Sequence, residues 1–133
     1  TDYSWYNSRP LQTEKMNEAA QLCLQHEDFT CFSKAGGQQH TSICKISKCL
    51  WTETDSFLCF DVSANRFLRN MVRAMVGTMT EVGLGKMNLD QFQELLQKGT
   101  RSDAGQSVPP QGLFLEEVIY PYYQPDRKYF VKR

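Results

Sequence analysis

From residue 65 to residue 82 apolar side chains recur with the period of an amphipathic helix. At about 100° per residue, Phe67, Leu68, Met71, Val72, Ala74, Met75, Met79 and Val82 share one broad side. Arg66, Arg69 and Arg73 share a strip about 60° wide on the other, and Gly77 extends it by a turn. Asn65 is the expected N-cap. Residues 12–25 predict an earlier helix, capped by Thr13, whose buried stripe is Met16, Ala19, Ala20 and Cys23. Alternating patterns over 44–52 and 57–62, with turn residues between them, predict a hairpin in which Leu58, Phe60 and Val62 face inward. Gly83 and Gly85 suit a left-handed helix end. Asn88 and Gln91 match a capping box ahead of a short helix through Phe92, Leu95 and Leu96 that stops at Gly99. Residues 113–120 predict a third strand with Leu113, Leu115 and Ile119 on one face, closed by Pro121. Residues 122–133 read as a short basic and aromatic tail after a single domain over 1–121. The expected fold class is α+β, an antiparallel sheet with helices packed on one face.

Composition narrows the function classes. The chain has 133 residues, 41% of them hydrophobic and 23% charged, so one domain with a real core is expected. Fifteen basic residues balance fifteen acidic ones, so any nucleic-acid contact must come from a local patch. No apolar run approaches the ~20 residues of a membrane span, and no secretory leader is read. The chain opens on Thr1 inside what reads as a structured segment, so a piece of a longer protein is expected. An odd number of cysteines, five, implies reduced thiols. With His26 and His40 they form no CxxC pair, and the closest spacing, Cys44 to Cys49, is poor for zinc. No metal and no cofactor is expected.

The arginine strip has two readings. Its members lack acidic partners four residues on, so three guanidiniums crowd together unless a phosphate or a carboxylate from elsewhere meets them. The plainer reading is a solvated basic face on a core helix. Lys34, Lys45 and Lys48 add charge near the polar loop 33–42, whose Gly36-Gly37 pair matches no phosphate-loop pattern. Phe29 and Phe32 read as core anchors.

Several motifs carry a resemblance. YSWY (3–6), KMNEAA (15–20), HEDFTCF (26–32), ANRFLRNMVRAMVGTMTEVGLGK (64–86), RSDAG (101–105) and PPQGLFLEEVIYP (109–121) occur in one order. In that order they resemble the second half of TruA-type tRNA pseudouridine synthases. The resemblance implies half of a pseudouridine synthase fold. It also implies isomerisation of uridine to pseudouridine in the tRNA anticodon stem–loop, without cofactor, in a cytoplasmic homodimer. The family's aspartate attacks or deprotonates the flipped nucleotide, the glycosidic C–N bond breaks, the base rotates and a C–C bond forms. By motif position Arg73 is the basic residue that pairs with this aspartate. Gly77 lies beside the pocket, and Leu113 and Leu115 flank the uracil. Arg66, Arg69, Lys34, Lys45 and Lys48 are then the RNA-binding candidates.

The chain departs from the family in one respect. The R-T-D-x-G-V-H motif that supplies the aspartate is missing, as is the pocket tyrosine that precedes YSW. Asp103 in RSDAG is a lookalike in the wrong segment with no Val-His after it. The expected partners are therefore tRNA and the chain's own N-terminal half. The fragment is expected to supply the pocket arginine and RNA surface and to be inactive alone. The rival reading is a non-catalytic RNA-binding or dimerisation module.

Overall fold

The structure is a computed structural model. It describes residues 11–33, 42–54, 57–68, 70–100, 103–104, 117–120 and 126–132, with the backbone alone at 57, 117–120 and 126–132. Helix α1 spans Thr13–Leu24 and buries the four expected residues, Met16, Ala19, Ala20 and Cys23. Its N-cap is Gln12 rather than Thr13. The Thr13 hydroxyl instead donates to Glu53 Oε1 at 2.9 Å. A 3₁₀ turn, Thr30–Phe32, follows. Asp28 Oδ1 shapes it by accepting from the Thr30 amide and hydroxyl at 3.1 and 2.7 Å.

Strands β1 (Ile46–Glu53) and β2 (Phe57–Ala64) form the expected antiparallel hairpin, with a register shift between Ile46 and Lys48. Alternation sends Cys49, Trp51, Leu58, Phe60 and Val62 into the core. Trp51 and Phe60 are directly opposed, with ring centroids 4.8 Å apart, and the Trp51 indole N–H reaches Met79 Sδ at 3.4 Å. Helix α1 closes the edge of β1. Asn17 donates to the Trp51 carbonyl at 2.9 Å and accepts from its amide at 2.7 Å. One side-chain amide thus occupies both backbone groups that would otherwise invite another strand. Asn17→Ala is expected to cost about 1–3 kcal/mol, because both groups lose their partner in a part-buried place. Urea unfolding checks this, and an unchanged midpoint would mean that water replaces the amide.

The helix expected over 65–82 is shorter. Helix α2 spans Met71–Gly83, and its N-cap is Asn70 at φ 66°, not Asn65. Residues 65 and 66 are held elsewhere. Asn65 accepts from the Lys45 amide through Oδ1 at 2.8 Å and donates its own amide to the Lys45 carbonyl at 3.0 Å. Arg66 Nη1 donates to the Ile43 carbonyl at 2.9 Å. The Asn65 backbone, paired with the Lys45 carbonyl, continues the strand rather than starting a helix, and Asn70 tolerates the left-handed turn that starts one. Arg66 therefore does not join Arg73 in a strip on α2, and Arg69 lies outside the described residues. Within α2 only Arg73 and Glu81 reach the surface, and both are half-buried. The helix ends in a Schellman motif. Lys86 N bonds Glu81 O at 2.9 Å, Gly85 N bonds Val82 O at 3.1 Å, and Gly85 takes φ 83°. Helix α3, Leu89–Lys98, carries the expected capping box, buries Phe92, Leu95 and Leu96, and stops at Gly99. A Cβ at Gly99 would lie 2.7 Å from the Leu95 carbonyl oxygen.

Strand β3 (Glu117–Tyr120) falls in the expected third strand, whose Leu113 and Leu115 lie outside the described residues. The stretch read as a tail supplies a strand of its own, β4 (Asp126–Lys132). The sheet order is β1-β2-β4-β3, antiparallel at each step. The fold is α+β, with the core between the helices and the Trp51–Phe60 face. No helix among the described residues is long and apolar enough to cross a membrane.

Candidate functional site

Two of the expected RNA-binding residues, Lys45 and Arg66, lie at the end of β2, and Arg73 follows on α2. Pairing of Asn65 with Lys45 brings segments 43–45 and 65–66 together, so exposed Lys45 and half-buried Arg66 share one rim. The Arg66 guanidinium also neighbours Cys44. Burial pushes that thiol's pKa up, and the guanidinium and the Leu68 amide pull it part of the way back. Arg73 projects from the first turn of α2, with buried Gly77 one turn further along the same strip. Arg73 and Arg66 are both half-buried, so exposure does not separate their roles. Partnership does. Among the described residues no carboxylate forms an ion pair with Arg73. The nearest acid on its strip, Glu81, is eight residues away, about 12 Å along the axis. Buried Thr78 and Thr80, by contrast, satisfy their hydroxyls on the Ala74 and Val76 carbonyls, each at 2.7 Å.

The other candidates separate. Lys48 points from the sheet face opposite the core and pairs with Asp61 at 2.9 Å, its side chain 45% exposed and that of Asp61 11%. Asp103, the lookalike, accepts from the Thr100 amide and hydroxyl through Oδ2 at 2.9 and 3.1 Å, which makes it a turn-capping residue. Lys34, Arg69, Leu113 and Leu115 lie outside the described residues. A cleft of about 630 Å³ lies at the other end of α2, between the loop after that helix and α3, lined by Lys86, Met87, Glu94 and Lys98. Its charges are mixed, and it does not include Arg73. The sequence reading missed Asn65 and Asn17 as organisers. Both bond backbone groups more than fifteen residues away, and no local pattern signals that.

The cysteines are reduced. Among the described residues no group of three or more His, Cys, Asp or Glu side chains is placed to hold a metal ion. Cys23 on α1 is hydrogen-bonded to Cys49 on β1, and that bond, then burial, raises its pKa well above the ordinary 9.0. The sign of the effect on stability follows. A folded value above the unfolded one means that the unfolded thiol ionises first. The contribution is whole below pH 9.0 and is lost as pH rises from there towards the folded value. Melting temperature above pH 9.0 is expected to fall more steeply in the parent chain than in Cys23→Ala, and equal slopes would remove Cys23 as the cause.

Comparison with known proteins shows the family of the chain. A family model described as tRNA pseudouridine synthase matches residues 19–121. The tRNA pseudouridine synthase A of Bacteroides fragilis is 46% identical over 120 residues, 90% of this chain and 48% of that protein. That of Porphyromonas gingivalis is 44% identical over 116 residues, 85% of this chain and 46% of that protein. That of Thermoanaerobacter pseudethanolicus is 37% identical over 119 residues, 90% of this chain and 49% of that protein. The chain spans about half the length of the curated relatives it matches. With a match over most of its length and the Arg73–Gly77 helix inside it, the chain belongs to the tRNA pseudouridine synthase family.

Proposed function

We propose that the chain is the C-terminal half of an enzyme that isomerises uridine to pseudouridine in the anticodon stem–loop of tRNA. Arg73 meets a catalytic aspartate supplied by an N-terminal half. The observation that carries this reading is a half-buried guanidinium with no ion-pair partner among the described residues, in a chain half as long as its relatives. A guanidinium so placed keeps a sheltered carboxylate ionised and aims it. The aspartate attacks or deprotonates the flipped nucleotide. The glycosidic C–N bond breaks, the uracil turns, and a C–C bond to C5 replaces it. The C5 hydrogen leaves as a proton and N1 ends protonated, so the product is an isomer of the substrate. The scheme calls on no cofactor. Gly77 lets the substrate or a backbone segment come close, and Leu113 and Leu115 flank the uracil.

Lys45, Arg66, Arg69 and Lys34 contact tRNA phosphates. Lys48 has a smaller share, because Asp61 already faces it. The assembled enzyme is a homodimer that works in the cytoplasm, where its tRNA is. The test is complementation, in which the 133-residue chain and a separately made N-terminal half, each inactive, form pseudouridine in unmodified tRNA when mixed.

A further inference from the structure

Asn65 is exposed, yet its side chain is committed to the backbone of another residue. Its own amide donates to the Lys45 carbonyl at 3.0 Å, and its Oδ1 accepts from the Lys45 amide at 2.8 Å. In an antiparallel rung the second bond goes to a main-chain carbonyl. Here the side-chain oxygen takes that place, so the rung closes without the Asn65 carbonyl. The chain leaves the sheet at residue 65 and still holds the segment it faces. The hairpin register shifts just inside this rung, between Ile46 and Lys48. Such an irregularity bends a strand and re-aims the side chains at its end.

The facing segment is fixed from its other side as well. The Cys44 amide donates to the Glu27 carbonyl at 2.8 Å, and the Ser42 carbonyl accepts from the Phe29 amide at 3.0 Å. Asp28 and Ile43 form the bridge between these bonds. Residues 42–45 are thus a short extended piece held between 27–29 and 65–66, and Arg66 Nη1 adds its bond to the Ile43 carbonyl at 2.9 Å. Without the Asn65 side chain the Lys45 amide loses its acceptor, while the bonds to 27–29 stand. We infer that Asn65 is a positioning residue for RNA: its side chain holds the Lys45 and Arg66 segments at one spacing, so the two cations meet the tRNA backbone as a preformed pair. An uncharged residue thereby strengthens the binding of a polyanion, because less is left to order when the RNA arrives. This rests on the reading of Lys45 and Arg66 as phosphate contacts.

Hydrogen exchange on the 133-residue chain tests the first link. In Asn65→Ala the Lys45 amide should exchange faster, while the Cys44 and α2 amides stay protected. Asn65→Asp keeps an oxygen in the same place and should keep the Lys45 amide protected. Should Asn65→Ala leave α2 unprotected, Asn65→Ser replaces it, since the serine oxygen sits one bond nearer the backbone and falls short of the Lys45 amide. Unchanged exchange at Lys45 in the variant that keeps α2 protected overturns the inference.

The second link is read as the affinity of the same chain for unmodified tRNA, by filter binding at about 50 mM salt. Asn65→Ala should weaken binding about tenfold, as the loss of one charge-assisted contact does. In a background carrying Lys45→Ala and Arg66→Ala the same substitution should change affinity by about twofold or less, because the residues it acts through are gone. A loss of equal size in both backgrounds overturns the positioning role, since Asn65 would then touch tRNA itself through Nδ2 or act through the fold at large. Unchanged affinity in Asn65→Ala, or a parent chain with no salt-dependent tRNA binding, overturns it too. Pseudouridine formation by the mixed halves is a separate result, and it decides the half-enzyme reading whichever way Asn65 falls.

Discussion

Replacing Arg73 with alanine in the two-half enzyme is expected to lower turnover by about 10²- to 10³-fold, with tRNA affinity nearly unchanged. The size follows from stripping a sheltered carboxylate of its counter-charge, which costs about 3–5 kcal/mol, at about 1.4 kcal/mol per tenfold in rate. The asymmetry follows from place. Arg73 is half-buried on a helix that is otherwise almost wholly buried, and no described carboxylate pairs with it. A phosphate contact behaves in the opposite way. Lys45 is exposed, so Lys45→Ala should weaken tRNA binding and lower its salt slope by about one unit while kcat holds. Arg73→Lys should recover only part of the rate, since an ammonium keeps the charge and loses the bidentate fork. Single-turnover rates and filter-binding affinities measured on the same preparations decide the matter. Equal losses of rate and affinity on Arg73→Ala would make it a phosphate contact and leave the aspartate without this partner.

What the sequence made legible was whatever is written locally. The Asn88–Gln91 capping box, the hairpin and the buried stripe of α1 each depend on residues within a few positions of one another, and each is present. The start of α2 was not legible in this way. The apolar period runs unbroken from Phe67, but the backbone of 65 and the side chain of Arg66 answer to residues 43–45, twenty positions earlier. A long-range bond overrode a local propensity, and Arg66 left the strip read on that helix. Strand β4 was missed for a different reason. In DRKYFVK each face mixes a charge with an apolar residue, Arg127 with Tyr129 and Val131, Lys128 and Lys132 with Phe130, so alternation shows no inside. Its place is set by pairing with β2, which no pattern within the strand records. For the site, the motif singled out Arg73, and the structure adds that the guanidinium lacks a described counter-charge.

The chain by itself is expected to make no pseudouridine above background. The reaction needs a carboxylate held against the ribose or base within a narrow tolerance, and three of the described aspartates are engaged elsewhere. Asp28 shapes the 3₁₀ turn, Asp61 faces Lys48, and Asp103 caps its own turn through Thr100. Flipping a base out of its stack costs a few kcal/mol, roughly, and a pocket with a single wall offers little to offset that. Binding should survive in weakened form. A rim that neutralises about three phosphates loses affinity by tens of fold between 50 and 200 mM salt. Incubation with unmodified tRNA, followed by nucleoside analysis, should therefore show pseudouridine only when the N-terminal half is added. Product should then rise with that half's concentration until the two are equimolar. Enzyme-like turnover by the 133 residues alone would overturn the half-enzyme reading and send the search for a nucleophile back to Asp103, whose Oδ2 would have to give up Thr100 to act. Tight tRNA binding in the mixture without product would favour the rival, a module that holds RNA and does no chemistry.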